Sequence, residues 1–106
     1  MKRKKIVRFP THEEVVRPLY LKDPTLKARI RAGVERLKII SKIIEMRENL
    51  GITQAELARR VGVSQPFIAR IESDEASNLG LETLVRIVEA MSGEIEIHIR
   101  VRKKAA

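Results

Sequence analysis

The chain has 106 residues, no cysteine and a formal net charge of +8. That length suits one domain with a modest core, and the lack of cysteine excludes disulfides, thiol catalysis and zinc-finger ligands. No apolar run approaches the roughly 20 residues of a membrane span. The start, MKRKKIVRF, is basic but lacks the apolar stretch and small-residue cleavage site of a secretion signal, so the cytoplasm is the expected location.

The charge is unevenly spread. Residues 1–48 carry 14 Lys/Arg against 6 Asp/Glu, residues 49–93 carry 4 against 6, and residues 94–106 carry 4 against 2. Two readings of the basic ends are open: they contact phosphates and release counterions, or they keep the protein in solution.

In chain order, residues 1–24 hold Pro10, Pro18 and Pro24 with few periodic apolar positions, and read as a basic, proline-containing arm. Thr11-x-x-Glu14 can open one helical turn, which Pro18 is expected to end. Leu19, Tyr20 and Leu21 form a small apolar cluster suited to docking. From Thr25 a helical stripe of Leu26, Ile30, Val34, Leu37 and Ile44 runs to Gly51, widened by Ile39, Ile40, Ile43 and Met46. It is either one helix or two, broken at Gly33. Residues 25–93 are the expected helical domain.

The most informative stretch is LGITQAELARRVGVSQPFIARI, Leu50 to Ile71. Thr53-Gln54-Ala55-Glu56 is a capping-box pattern, Leu57 and Val61 supply an apolar face, and Gly62 can take the left-handed conformation that ends a helix. Ser64 caps the next helix, Pro66 is tolerated in its first turn, and Ile68 and Ile71 repeat the apolar spacing. Ala58 is small where the two backbones must approach. Two helices with so short a corner make a helix-turn-helix, whose second helix can enter the DNA major groove. A polar loop, Ser73 to Asn78, then leads to a helix from Leu81 to Met91, with Gly93 as its stop.

Glu94 to Val101 alternates strictly between charged or polar and apolar residues, which predicts a half-buried strand. No other strand is expected in the chain. Its ladder partner is then the same strand of a second copy, giving a homodimer with antiparallel pairing across a twofold axis; the alternatives are that residues 94–101 stay frayed or pair with Ile6, Val7 and Phe9 of the arm. Residues 94–106 form this strand and a basic tail.

The stretch resembles the Cro/repressor (Xre-type) helix-turn-helix family, whose pattern TQxELA-x-x-x-G-V-S-x-x-x-I-x-x-x-E is present over Thr53–Glu72 and continues through Leu81-Glu82-Thr83-Leu84. The resemblance covers residues 40–93. It implies a mainly α, lambda-repressor-like bundle of four to five helices, here with the C-terminal β-strand paired across a dimer, and double-stranded DNA as the ligand. Recognition helices read bases through their N-terminal residues, here Ser64, Gln65 and Pro66, then Ala69 and Arg70 on the same face. Gln65 can bond adenine N6/N7 and Arg70 guanine O6/N7. Pro66 departs from the polar residue often found there, so shape readout is expected to share in specificity. Gln54 stands where the family holds a phosphate, aided by the helix N-terminus. Ser77 and Asn78 are weaker phosphate candidates. Phe67 is expected at the helix–helix boundary, and Arg47 and Glu72 resemble a pair that forms an internal salt bridge.

Catalysis finds no support. His12 and His98 are the only histidines, no carboxylates join them at metal-ligand spacing, and no phosphate-loop or nucleophile motif occurs. No cofactor or metal is expected. Outside the module, the DPxLKAxI segment at residues 23–30, the long helix and the terminal strand after Met91-Ser92-Gly93 are similar to HigA-type antitoxins, which neutralise an RNA-cleaving RelE-like toxin and repress the shared operon. Under that resemblance the arm and long helix would face the toxin. The start Lys2-Arg3-Lys4-Lys5 would be repelled by a basic toxin, leaving the apolar stripe with Glu13, Glu14 and Glu35 for neutralisation. The alternative is a stand-alone Xre-type repressor without a toxin.

Overall fold

The computed structural model describes residues 7–76 and 79–102, in five α-helices: α1 His12–Lys22, α2 Leu26–Asn49, α3 Gln54–Val61, α4 Gln65–Glu72 and α5 Leu81–Ala90. The chain falls into two compact units, Met1–Arg36 and Leu37–Ala106, with the division inside α2.

In the first unit, residues 12–22 are helical where the sequence suggests a single turn. The capping box is complete: the Thr11 hydroxyl accepts from the Glu14 N–H at 3.2 Å, and the Glu14 carboxylate accepts from the Thr11 N–H at 3.3 Å. Pro18 lies inside α1 rather than ending it. Its fixed φ is close to the helical value, so what it removes is the hydrogen bond to the Glu14 carbonyl. No residue of α1 is buried, so water is available to that carbonyl. Asp23 ends α1 and its carboxylate accepts from both the Thr25 hydroxyl and the Arg29 guanidinium. These bonds hold the Asp23 carboxyl below its ordinary range, the Thr25 hydroxyl contributing most. α2 runs through Gly33 unbroken.

The second unit holds the core. Ile40 and Ile43 of α2, Leu57, Ala58 and Val61 of α3, Ile68 and Ile71 of α4, and Leu84, Ile87 and Val88 of α5 with Met91 are buried together. α3 packs against both α4 and α5. Ala58, only 2 % exposed, is the small residue that the short corner requires. Higher up the expected stripe the outcome differs: Ile30 and Val34 in the first unit, and Leu37 in the second, are 45 %, 45 % and 49 % exposed. Helical periodicity selects a face; it does not supply the element that covers it.

The stops follow the chemistry of each turn. Gly51 and Gly62 adopt positive φ, +68° and +86°. At the end of α5 the left-handed residue is Ser92, φ +59°, and not the expected Gly93. Gly93 is needed for closeness instead: a Cβ there would stand 2.5 Å from the Met46 Cε and 2.9 Å from a Val88 methyl.

The expected strand over 94–101 does not form. Among the described residues there is no strand, and residues 93–102 carry neither helix nor sheet. A strand exists through its ladder, and nothing else in the described chain is extended and paired beside this segment. Nor is its apolar face half-buried: Ile95 packs against the core, but Ile97, Ile99 and Val101 are 62 %, 91 % and 96 % exposed.

Candidate nucleic-acid interface

α3 and α4 are each set by a hydroxyl cap. Thr53 accepts from the Glu56 N–H at 3.1 Å, and Ser64 from the Phe67 N–H at 3.2 Å. The capping box expected at Thr53 is only half made. Glu56 turns away from the Thr53 N–H and accepts from Arg59 at 2.6 and 2.9 Å and from Arg60 at 3.2 Å. Charge-assisted bonds outcompete the neutral amide. They hold the Glu56 pKa down to about 2, Arg59 contributing most. Both arginines are thereby engaged on α3. The carbonyl of Val61 at the end of this helix accepts from the Arg86 guanidinium at 2.8 Å, a tie from α5.

On α4, Ile68 and Ile71 point into the core, and Phe67 packs against it as expected. Gln65, Pro66 and Arg70 are exposed and Ala69 is half-buried, with Ser64 exposed at the cap. The sequence-derived positions therefore fall on the solvent side of one helix. Arg70 has no ion-pair partner among the described residues. Ser77 and Asn78 lie outside the described residues.

The polar centre of the site is a relay that links three helices. Arg47 of α2 donates from Nε and Nη2 to the two carboxylate oxygens of Glu72, at 2.7 and 2.9 Å, and from Nη1 to the Ile52 carbonyl at 2.9 Å. Its side chain is 15 % exposed and that of Glu72 is 7 % exposed, so the expected internal salt bridge is present and largely withdrawn from water. The pair raises the Arg47 pKa, chiefly through its bonds to Glu72. Burial pushes the Glu72 carboxyl up, but bonds from Arg47 and Gln54 and the nearby positive charge outweigh it and leave the carboxyl below its ordinary range. Gln54 Nε2 donates to Glu72 Oε1 at 3.1 Å, and Gln65 Nε2 donates to Gln54 Oε1 at 3.0 Å. A chain of hydrogen bonds thus runs from a buried guanidinium to the first residue of α4. One amide hydrogen of Gln65 is committed to Gln54, and its oxygen and second hydrogen remain for a ligand.

Sequence reasoning marked Gln54 and Gln65 separately. Their mutual bond spans eleven positions and depends on how α3 and α4 meet, which no local pattern reports. Arg86 as a cap on α3 was legible in no motif. Among the described residues there is no cluster of three or more His, Asp or Glu placed to hold a metal ion, and no helix is long and apolar enough to cross a membrane.

Comparison with known proteins bears on this geometry. The family model described as helix-turn-helix matches residues 43–97. Antitoxin HigA1 of Mycobacterium tuberculosis is 29% identical over 79 residues, 74% of this chain and 52% of that protein. The chain thus spans about half the length of that relative. An uncharacterised HTH-type transcriptional regulator of Haemophilus influenzae is 38% identical over 68 residues, 64% of this chain and 68% of that one. Among solved structures, a chain of a toxin–antitoxin module from Streptococcus pneumoniae superposes with a TM-score of 0.55 at 30% identity, covering 74% of this chain and 90% of its own. With five helices, α3 and α4 capped and closed as described, and a family match over half its length, the chain belongs to the helix-turn-helix family of transcriptional regulators.

Proposed function

We propose that this chain is a sequence-specific DNA-binding regulator that acts as a homodimer, and that it is the antitoxin of a toxin–antitoxin pair repressing its own operon. The observation that carries the DNA reading is the exposed part of α4, where Gln65 is held by Gln54 and Arg70 is exposed further along the helix. In this reading Gln65, Pro66, Ala69 and Arg70 enter the major groove, with Ser64 at the rim. Gln54 and the N-terminus of α3 take a phosphate, and Ser77 and Asn78 flank it. In this reading the protein works in the cytoplasm, as a regulator rather than an enzyme.

The antitoxin reading draws support from the first unit. None of its described residues is buried, while Val15, Leu19, Leu21, Ile30 and Val34 are exposed. A unit without a core of its own gains order by covering such side chains with a partner. The M. tuberculosis and S. pneumoniae relatives, an antitoxin and a toxin–antitoxin module by name, point the same way. We infer a RelE-like toxin as that partner, held by the apolar side chains together with Glu13, Glu14 and Glu35. The H. influenzae relative, a transcriptional regulator by name, favours the alternative of a repressor without a toxin.

The test is co-expression of the tagged chain with the product of the adjacent reading frame, together with binding to the DNA upstream. A stoichiometric complex with a small basic protein, whose RNA cleavage is suppressed, carries the antitoxin reading. Tight operator binding without a partner carries the alternative. Arg70→Ala is expected to cost about 1–3 kcal/mol in operator affinity and to relax preference at one base pair, whereas an equal loss on every sequence would make Arg70 a phosphate contact.

A further inference from the structure

Residues Glu94 to Arg102 read Glu-Ile-Glu-Ile-His-Ile-Arg-Val-Arg. The odd positions are apolar. The even positions run acid, acid, histidine, base, base, so the charge pattern inverts about His98. No backbone hydrogen bond from elsewhere in the described chain reaches these residues, and Glu94, Glu96, His98, Arg100 and Arg102 are all exposed.

We propose that this segment pairs antiparallel with the same segment of a second copy, in the single register centred on His98. The inference rests on the homodimer reading given above and fixes how that dimer is built. In an antiparallel pair, residues facing each other lie on the same side of the ribbon. Centring on His98 sets Glu94 opposite Arg102 and Glu96 opposite Arg100, in both directions, so four opposite-charge pairs line one face. The other face carries Ile95 opposite Val101 and Ile97 opposite Ile99.

Other registers do worse. Centring on Ile97 leaves two Glu94–Arg100 pairs and strands Arg102 opposite Ser92. Centring on Ile99 keeps Glu96–Arg102 and Glu94–Lys104 pairs but sets His98 against Arg100 and the apolar Ile95 against Lys103. A slip of one residue puts every apolar side chain opposite a charged residue or His98. Parallel in-register pairing stacks Glu on Glu and Arg on Arg. Pairing with another segment of the chain gives the inverted charge pattern no role.

A two-stranded ribbon is marginal by itself, and here its apolar face is anchored at each end, because Ile95 already packs against the core of its own copy. Pairing also removes the open edge that an alternating segment presents to other chains.

The experiment uses the full chain and charge exchange. Glu94→Arg with Glu96→Arg makes the segment wholly basic, and Arg100→Glu with Arg102→Glu makes it wholly acidic. Each variant is expected to self-associate at least tenfold more weakly than the parent by sedimentation equilibrium. Their equimolar mixture is expected to form a heterodimer, and the fourfold exchange to dimerise like the parent. All four positions are exposed and outside the helices, so unchanged helical circular dichroism confirms folding in each case. Because the chain has no cysteine, single thiols test the register directly. Cys introduced by His98→Cys should form an intermolecular disulfide under mild oxidation, and Cys introduced by Glu94→Cys should not. Half-exchanged variants that dimerise like the parent, or crosslinking at 94 in preference to 98, overturn the pairing while leaving the dimer intact. A parent that stays monomeric at all concentrations overturns the dimer itself.

Discussion

Replacing Glu72 with leucine is expected to destabilise the protein by about 3 kcal/mol. The side chain is 7 % exposed, and its loss deprives Arg47 of two hydrogen bonds, at 2.7 and 2.9 Å. Removing one partner of a buried ion pair costs about 3–5 kcal/mol, because the other charge is left without compensation. The lower end applies here, since the Arg47 side chain keeps 15 % exposure and its bond to the Ile52 carbonyl. In a domain of this size that corresponds to a fall of about 10–20 °C in Tm. The assay is a double-mutant cycle by chemical denaturation with Arg47→Met, Glu72→Leu and the pair together. The double variant should lie within about 1 kcal/mol of the parent, because an apolar pair needs no compensation. The pH dependence has a definite sign. The folded-state pKa of Glu72 is lowered, so the unfolded chain binds its proton first, and the stabilisation present at neutral pH is lost as pH falls below the ordinary value of 4.5. The parent should therefore lose stability on acidification more steeply than Glu72→Leu. Single variants whose effects add to the double within about 0.5 kcal/mol would refute the argument, because the pair would then carry no mutual energy.

Gly93→Ala should cost about 1–3 kcal/mol in a thermal or denaturant melt, since the added methyl meets Met46 and Val88, including the Val88 carbonyl at 3.2 Å. Ser92→Gly should stabilise by about 0.5–1 kcal/mol, because Ser92 holds φ +59° and glycine enters that region without strain. Deleting residues 1–8, which hold five Lys/Arg, should weaken DNA binding and reduce the slope of log affinity against log salt. Unchanged affinity across salt would show that these charges do not approach DNA.

The helix-turn-helix was legible because its determinants are local. Thr53, Gly62 and Ser64 each act within four residues of their own position, and Leu57, Val61, Ile68 and Ile71 fall on faces that periodicity alone selects. What was not legible depends on competition or on distance. Glu56 had two possible sets of donors, and the arginines one turn away displaced the backbone amide of Thr53. Pro18 reads as a helix stop wherever the freed carbonyl would be buried, and α1 buries nothing. The alternation over 94–101 was visible, but a ladder needs a second strand beside it and the described chain offers none. For the site, the exposed positions on α4 followed from spacing. The order of donors from Arg47 through Glu72 and Gln54 to Gln65 required the folded arrangement of α2, α3 and α4.

That relay has a thermodynamic consequence. Glutamine is a side chain rich in rotamers, and immobilising one such group at an interface costs about 0.5–1.5 kcal/mol in conformational entropy. With Gln54 bonded to Glu72 and Gln65 bonded to Gln54, two of these groups are ordered when the protein folds rather than when it binds. Whatever surface meets the N-terminal end of α4 finds them already in place. The benefit should appear mainly as slower dissociation, since the encounter itself is unaffected by how the amides were fixed.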